Sequence, residues 1–350
     1  MEDRIFINNT EISQESKTYI IAEMSGNHNQ DFNRAKKIID EAKQAGADAV
    51  KLQTYTADTI TIDCDSDLFQ AGGLWKGKTL YDLYQEAYTP WEWQKDLKDY
   101  ANSIGLDCFS SPFDLTAIEF LENMNVPAYK IASFEINDIP FIRKIARRGK
   151  PIMISTGIAF LEDIELALRT CEEEGNHQVI LLKCVSEYPA PFEDVNLNTI
   201  PTLSNTFHCI MGLSDHTLGD EIAVASVAMG AKVIEKHFTL RRSDGGPDCE
   251  FSMEPEEFAI MTEKIRHVEK AMGSAEYKLP ERQIRERKGS RSLFVVKDIC
   301  KGEIFTEENV RSIRPGVGMH TKYYKDILGK KAGMDLKKGT PMEWRYVCYD

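Results

Sequence analysis

No Cys-x-x-Cys pair occurs among the eight cysteines, which fall singly at positions 64, 108, 171, 184, 209, 249, 300 and 348. Several sit in apolar runs such as Leu181-Leu182-Lys183-Cys184-Val185, so they read as reduced, mostly buried thiols and a disulfide framework is not expected. No segment approaches the roughly 18 apolar residues of a membrane span. Met1-Glu2-Asp3-Arg4 opens onto a short apolar run rather than a basic stretch and a long apolar one, so an unexported, cytoplasmic protein is expected. Positive charge is also short: 43 Lys and Arg stand against 56 Asp and Glu, a formal net charge of −13. Nucleic acid and anionic membranes need a basic face to displace counterions, so neither is an expected partner. An anionic ligand has to be held by a local cluster of cations.

What is present is ordinary globular composition, 42% hydrophobic and 28% charged over 350 residues, enough for one large core and a small further domain. Short β-like runs at 19–23, 49–54, 106–110, 128–133, 151–156, 179–185, 209–214 and 232–237 alternate with helical patterns such as 33–42, followed by Gly46, and 161–173. Eight strands in a β/α alternation predict a (β/α)8 TIM barrel over residues 1–272. Residues 273–288 are polar and charged and read as a linker. Residues 289–350 form a second, small domain with a β-like run at 292–296 and turns at Lys301-Gly302, Pro315-Gly316 and Lys338-Gly339. Its core would be marginal alone, so docking on the barrel or on a partner subunit is expected.

Barrel enzymes place their working side chains at the C-terminal strand ends, around one mouth. Here those ends carry Glu23; Lys51 and Gln53; Lys130, Ser133 and Glu135; Ser155; Ser186 and Tyr188; Ser214 and His216; and Glu235 and His237. The two-residue period puts Lys51 with Gln53, Ser214 with His216, and Glu235 with His237 on shared faces. A single strand-end histidine is more often a hydrogen-bonded structural residue, and a single lysine more often solvated. Their convergence on one rim argues for a ligand site instead. Two other readings stay open from the residues alone: a Schiff-base aldolase using a strand-end lysine, and a non-enzymatic sugar- or ice-binding protein.

Five ordered motifs, Ile21-Ala22-Glu23-Met24-Ser25-Gly26-Asn27-His28-Asn29, Val50-Lys51-Leu52-Gln53-Thr54, Tyr129-Lys130-Ile131-Ala132-Ser133, Gly212-Leu213-Ser214-Asp215-His216-Thr217 and Glu235-Lys236-His237-Phe238-Thr239, together resemble the sialic acid synthase family. The resemblance spans essentially the whole chain, because residues 291–316 are similar to that family's C-terminal antifreeze-like (SAF) domain. Residues 69–75 and 79–93 are the stretches that select a branch within the family. Ser186 and Cys249 depart from its N-acetylneuraminate branch, where Asn and His are usual.

The resemblance implies a transferase that condenses phosphoenolpyruvate with an acetamido hexose. Lys51 and Lys130, with Ser133, Ser155 and Ser214, match the family's phosphate and carboxylate holders. His216 and His237 match ligands of a divalent metal, Mn²⁺ first and Mg²⁺ or Co²⁺ as alternatives. Glu135 is the expected sugar and proton-handling residue, with Glu23 and Glu235 as candidates for activating water. Gln53, Ser186, Tyr188 and Asp248 match sugar-contact positions. Arg314 matches an arginine delivered to the neighbouring subunit's site, which implies a homodimer with a domain-swapped C-terminal domain.

Overall fold

The first feature of the computed structural model, which describes residues 1–348, is one the sequence pattern did not announce. β1 (Arg4–Ile7) and β2 (Thr10–Ser13) form an antiparallel hairpin that pairs Ile5 with Ile12. Its two-residue turn puts Asn8 at φ 49, the left-handed conformation that asparagine tolerates. Ile5, Ile7 and Ile12 are fully buried in the main core, and Asn8 Nδ2 donates to Asp107 Oδ1 at 2.6 Å. Because Asp107 begins a barrel strand, the hairpin plugs the N-terminal end of the barrel, opposite the expected site.

The barrel consists of β3 (Tyr19–Glu23), β4 (Ala49–Thr54), β5 (Asp107–Pro112), β6 (Tyr129–Ile131), β7 (Ile152–Ser155), β8 (Val179–Cys184), β9 (Ile210–Asp215) and β10 (Val233–His237). All neighbours are parallel, and β10 closes the ring on β3. Strands covered on both faces read as apolar runs, and those runs made the eight positions legible. Two ends differ from expectation. β5 continues to Ser111 and Pro112, while β6 stops at Ile131 and turns into the 3₁₀ segment Ser133–Glu135. That early bend presents Ser133 inward without strand alternation.

The outer helices follow their sequence cues. In Phe32–Gln44, Asp31 caps by accepting from the Asn33 and Arg34 amides, Ala35, Ile38, Ile39 and Ala42 form the buried stripe, and Gly46 at φ 88 ends the turn beyond it. Leu161–Glu173 buries Ile164, Ala167, Leu168 and Cys171. The connection from β4 to β5 is longer than a barrel needs. Before the barrel helix Trp91–Ser103 it carries Ala57–Ile60, a 3₁₀ turn at Gly73–Trp75, and the helix Leu80–Ala87.

The chain divides into two compact units, Met1–Gly273 and a smaller one from Ser274 onward. The smaller unit begins with a short exposed helix, Glu281–Glu286, and pairs β11 (Ser292–Val295) antiparallel with β12 (Val310–Ile313). It has its own core, including Leu293, Val295, Phe305, Val310, Ile327 and Met342.

Candidate active site

β4 delivers Lys51 and, two residues on, Gln53; β6 delivers Lys130; β9 and β10 deliver Ser214 and Glu235. These side chains meet. Lys51 Nζ lies 2.7 Å from Glu23 Oε2 and 3.4 Å from Glu235 Oε1, and Lys130 Nζ lies 3.1 Å from the same Glu235 oxygen. Ser214 Oγ donates to Glu235 Oε1 at 3.0 Å, Lys51 donates to Ser111 Oγ at 3.1 Å, and Gln53 Nε2 donates to Glu23 Oε1 at 3.1 Å. Two ammoniums and two carboxylates are thus buried together, where the effective dielectric is low and each charge depends on its partners.

Their titration reflects that dependence. Burial pushes Glu23 up to about 7, with Lys51 opposing and Glu235 adding to the rise. Burial acts the same way on Glu235, but Lys130 and Lys51 prevail and hold it at about 2. Burial lowers Lys130, with Glu235 opposing; for Lys51 the two glutamates overcome burial and raise it. The quartet is electrostatically balanced as it stands, and an entering anion would take over the ammoniums from the carboxylates.

Around the quartet lie two chambers. The inner, of about 50 Å³, is lined by Lys51, Ser111, Lys130, Ser155, Ser214 and Glu235, with His216 and Cys184 on one side. The outer, of about 380 Å³, is lined by polar groups, Ser25, Glu135 and Asp248, and by aromatic and aliphatic ones, among them Trp75, Leu83 and Tyr84. Gln53, Ser133, Tyr188 and His237 line both and form the shared wall. Among the described residues, Glu235 Oε2, Glu135 Oε2, Ser155 Oγ, Ser186 Oγ and His237 Nδ1 are buried without a hydrogen-bond partner. Such a concentration of unsatisfied polar atoms is expected of a ligand site, not of a core.

His216 and His237 are the pair that could hold a metal. Their rings are 5.4 Å apart, and Tyr188 packs 4.3 Å from His216. His216 Nδ1 lies 2.8 Å from the Val185 carbonyl; as donor there, it leaves Nε2 with its lone pair. Burial and the neighbouring His216 hold His237 well below the ordinary imidazole value, the neutral form a metal requires, and Asp248 Oδ2 is 3.9 Å from its Nδ1. Among the described residues no group of three or more His, Cys, Asp or Glu side chains is arranged around a metal position. Two imidazoles with water and substrate oxygens would suit an exchangeable cation rather than a closed structural site.

Three expected residues stand apart from the chamber linings. Glu23 is fully buried behind Lys51 and also accepts from the Ser25 amide at 3.0 Å. Ser186 sits beside Gly157, where a Cβ would come within 2.2 Å of Ser186 Oγ and 2.7 Å of Ser133 Oγ; Gly157 N donates to that Ser133 hydroxyl at 3.0 Å. Arg314 is exposed, in the smaller unit just after β12.

Other residues entered the site unannounced. Ser111 follows from the two extra residues of β5, and the Ser110-Ser111 pair was its visible signal. Trp75, Leu83 and Tyr84 come from the long β4–β5 connection. Asp215 and Lys236, each the neighbour of a histidine, form a buried ion pair at 2.6 Å. The histidine of the first motif is structural: buried His28 has Nε2 3.1 Å from Thr89 Oγ1, while Asn27 Nδ2 ties its loop to the Phe238 carbonyl at 2.9 Å.

A closed parallel barrel with this charged, two-chambered mouth has the architecture of a barrel enzyme. Sequence comparison makes the assignment specific: the chain belongs to the NeuB family, whose model matches residues 38–277, and residues 290–345 match the SAF domain. Pseudaminic acid synthase from Campylobacter jejuni is 46% identical over 330 residues, covering 94% of this chain and 96% of its own. Pseudaminic acid synthase from Helicobacter pylori is 46% identical over 325 residues, covering 92% and 96%. Among solved structures, N-acetylneuraminic acid synthetase from Leptospira borgpetersenii superposes with a TM-score of 0.73 at 32% identity, covering 82% of this chain and 97% of its own.

Proposed function

We propose that this enzyme condenses phosphoenolpyruvate with 2,4-diacetamido-2,4,6-trideoxy-L-altrose and water, giving pseudaminic acid and phosphate. The observation that carries the reading is the pair of adjoining chambers: a small inner one of about 50 Å³, into which Lys51, Lys130, Ser133, Ser155 and Ser214 converge, and a larger one of about 380 Å³ that shares a wall with it and suits a sugar. The choice of sugar follows the relatives and residues 69–75 and 79–93, which resemble the pseudaminic branch.

In the inner chamber Lys51 and Lys130 take the phosphate and carboxylate, and Ser133, Ser155 and Ser214 orient them. The open-chain sugar occupies the outer chamber, with Gln53, Tyr188 and Asp248 setting its position, while Ser186, beside Gly157, acts from behind the lining. A divalent cation held by His216 and His237, Mn²⁺ first and Mg²⁺ or Co²⁺ as alternatives, supplies Lewis acidity toward the aldehyde oxygen when bound. C3 of phosphoenolpyruvate forms a bond to C1 of the sugar, water adds at C2 of the former enol, and the C2–O bond to phosphate breaks to leave the ketone. Glu135 hydrogen-bonds the sugar and handles a proton there, while Glu235, on the inner chamber, orients the water and Glu23, behind Lys51, orients that lysine and Gln53. Both lysines are ion-paired to carboxylates, which favours electrostatic holding over imine formation.

Arg314 acts in trans, in a cytoplasmic homodimer with exchanged C-terminal domains. Exposed apolar side chains on the strand-end loops, Phe134, Phe160, Phe192 and Leu218, support a covered mouth. The test is phosphate release from phosphoenolpyruvate with a panel of acetamido hexoses, with EDTA and after Mn²⁺ is restored. Turnover of the trideoxy altrose sugar that EDTA abolishes and Mn²⁺ recovers is expected. Preference for a manno-configured sugar would move the enzyme to the N-acetylneuraminate or legionaminate branch. Full activity in EDTA, with a borohydride-trapped adduct, would replace the mechanism by an aldolase one.

A further inference from the structure

We propose that the connection from Ile60 to Ala87 selects the sugar, and that Leu83 and Ala87 read the absence of a hydroxyl on its deoxygenated carbon. The inference rests on the proposed function and assigns the specificity of that site to named side chains. The lining of the outer chamber is mixed. Ser25, Gln53, Ser133, Glu135 and Asp248 supply polar groups, whereas the β4–β5 connection contributes the apolar Ile60, Leu83 and Ala87 together with Trp75 and Tyr84. Leu83 and Ala87 are only 7% and 8% exposed, and neither side chain can hydrogen-bond. A sugar hydroxyl pressed against them loses water and gains nothing, whereas a methyl fits at no such cost.

Discrimination also requires a wall that does not yield, and this one is fixed at both ends. The helix Leu80–Ala87 packs against the loop after β3 so closely that a Cβ on Gly26 would lie 3.1 Å from Ala87 Cα. Gln30 Nε2 donates to the Glu86 carbonyl at 3.1 Å and to the Tyr88 carbonyl at 2.6 Å, satisfying acceptors where the helix ends. Tyr55 wedges edge-on between Tyr84 and Phe113, at 5.5 and 5.2 Å. At the other end, Trp75 Nε1 donates to the Pro247 carbonyl at 2.7 Å, and its ring lies 5.7 Å from Tyr188. Trp75, Leu83, Tyr84 and Ala87 all fall within the stretches that set the chain apart inside its family.

An apolar wall rejects an added hydroxyl by at most about 100-fold. The experiment compares kcat/KM for 2,4-diacetamido-2,4,6-trideoxy-L-altrose with that for its 6-hydroxyl counterpart, at saturating phosphoenolpyruvate. The wild-type enzyme should favour the trideoxy sugar by about 10- to 100-fold. Leu83→Ser and Ala87→Ser should each shrink that ratio by about 5-fold or more, chiefly by improving the hydroxylated sugar. Leu83→Met, which keeps the apolar volume, should preserve it, and circular-dichroism melting verifies that each variant is folded. A ratio that stays within about twofold of wild type in both folded serine variants, or that falls equally in Leu83→Met, overturns this inference alone. Wild-type turnover of some other acetamido hexose, and of neither altrose sugar, overturns the proposed function and this inference with it.

Discussion

Glu135 shows how much chemistry one position holds. Burial lifts its carboxyl to about 7, with Lys130 pulling the other way, and its Oε2 has no hydrogen-bond partner. In the unfolded chain the group titrates near 4.5. Between those values the folded protein keeps a proton that the unfolded chain has lost, so this contribution favours folding at low pH and disappears as pH rises through about 7. Denaturant unfolding at several pH values should therefore show Glu135→Gln gaining stability relative to wild type between about pH 5 and pH 8, by on the order of 2–3 kcal/mol. A difference that stays flat over that range would remove the shift. The same variant should lose about 100-fold or more in turnover if the side chain handles a proton, and full turnover would strike it from the mechanism. Its position at a strand end was legible in the sequence. The burial that sets its titration was not, because the residues that line the cavity with it, Tyr84 and Asp248 among them, are remote in the chain.

The strands were legible because a barrel strand is covered on both faces and reads as a short apolar run ended by polar residues. β3 and β4 fall where the pattern put them, and the remaining strands shift by a few residues at their ends. The hairpin of β1 and β2 escaped because each strand has only four residues, and its buried face shows three isoleucines among polar neighbours. The wall built by Trp75 and Leu83 escaped for another reason: its meaning lies in contacts with Pro247 and Gly26, which no local period encodes. The pairing of β9 with β10 carries a further consequence. Asp215 and Lys236 are register partners, their side chains are 1% exposed, and Lys236 Nζ also donates to the Thr217 carbonyl at 2.7 Å. Each precedes one of the two histidines, so the ion pair locks the two imidazole-bearing ends together. Lys236→Met should destabilise the fold by about 3–5 kcal/mol, because it strands a buried carboxylate, whereas Asp215→Leu with Lys236→Met should recover most of that loss. Calorimetry with and without Mn²⁺ separates the two roles: the double variant should melt near wild type yet show a smaller Mn²⁺-induced rise. An undiminished rise would make the pair purely structural.

At the scale of the whole molecule, each unit has its own core, and Arg314 lies in the smaller one. If Arg314 serves the other subunit's barrel, two inactive variants can rescue each other. Co-expressing Arg314→Ala with Lys130→Met should restore about a quarter of wild-type turnover, since half the dimers are mixed and each mixed dimer carries one intact site. No recovery in verified mixed dimers would place the arginine in its own barrel or outside catalysis.

The nesting of a small chamber behind a larger one also sets a timetable. If the inner space is reached through the outer, then on the proposed function the three-carbon acid boards first and inorganic phosphate disembarks last. Product-inhibition kinetics should accordingly find phosphate competing with phosphoenolpyruvate and the nine-carbon acid not competing with it, a traffic rule written into the depth of the barrel rather than into any single side chain.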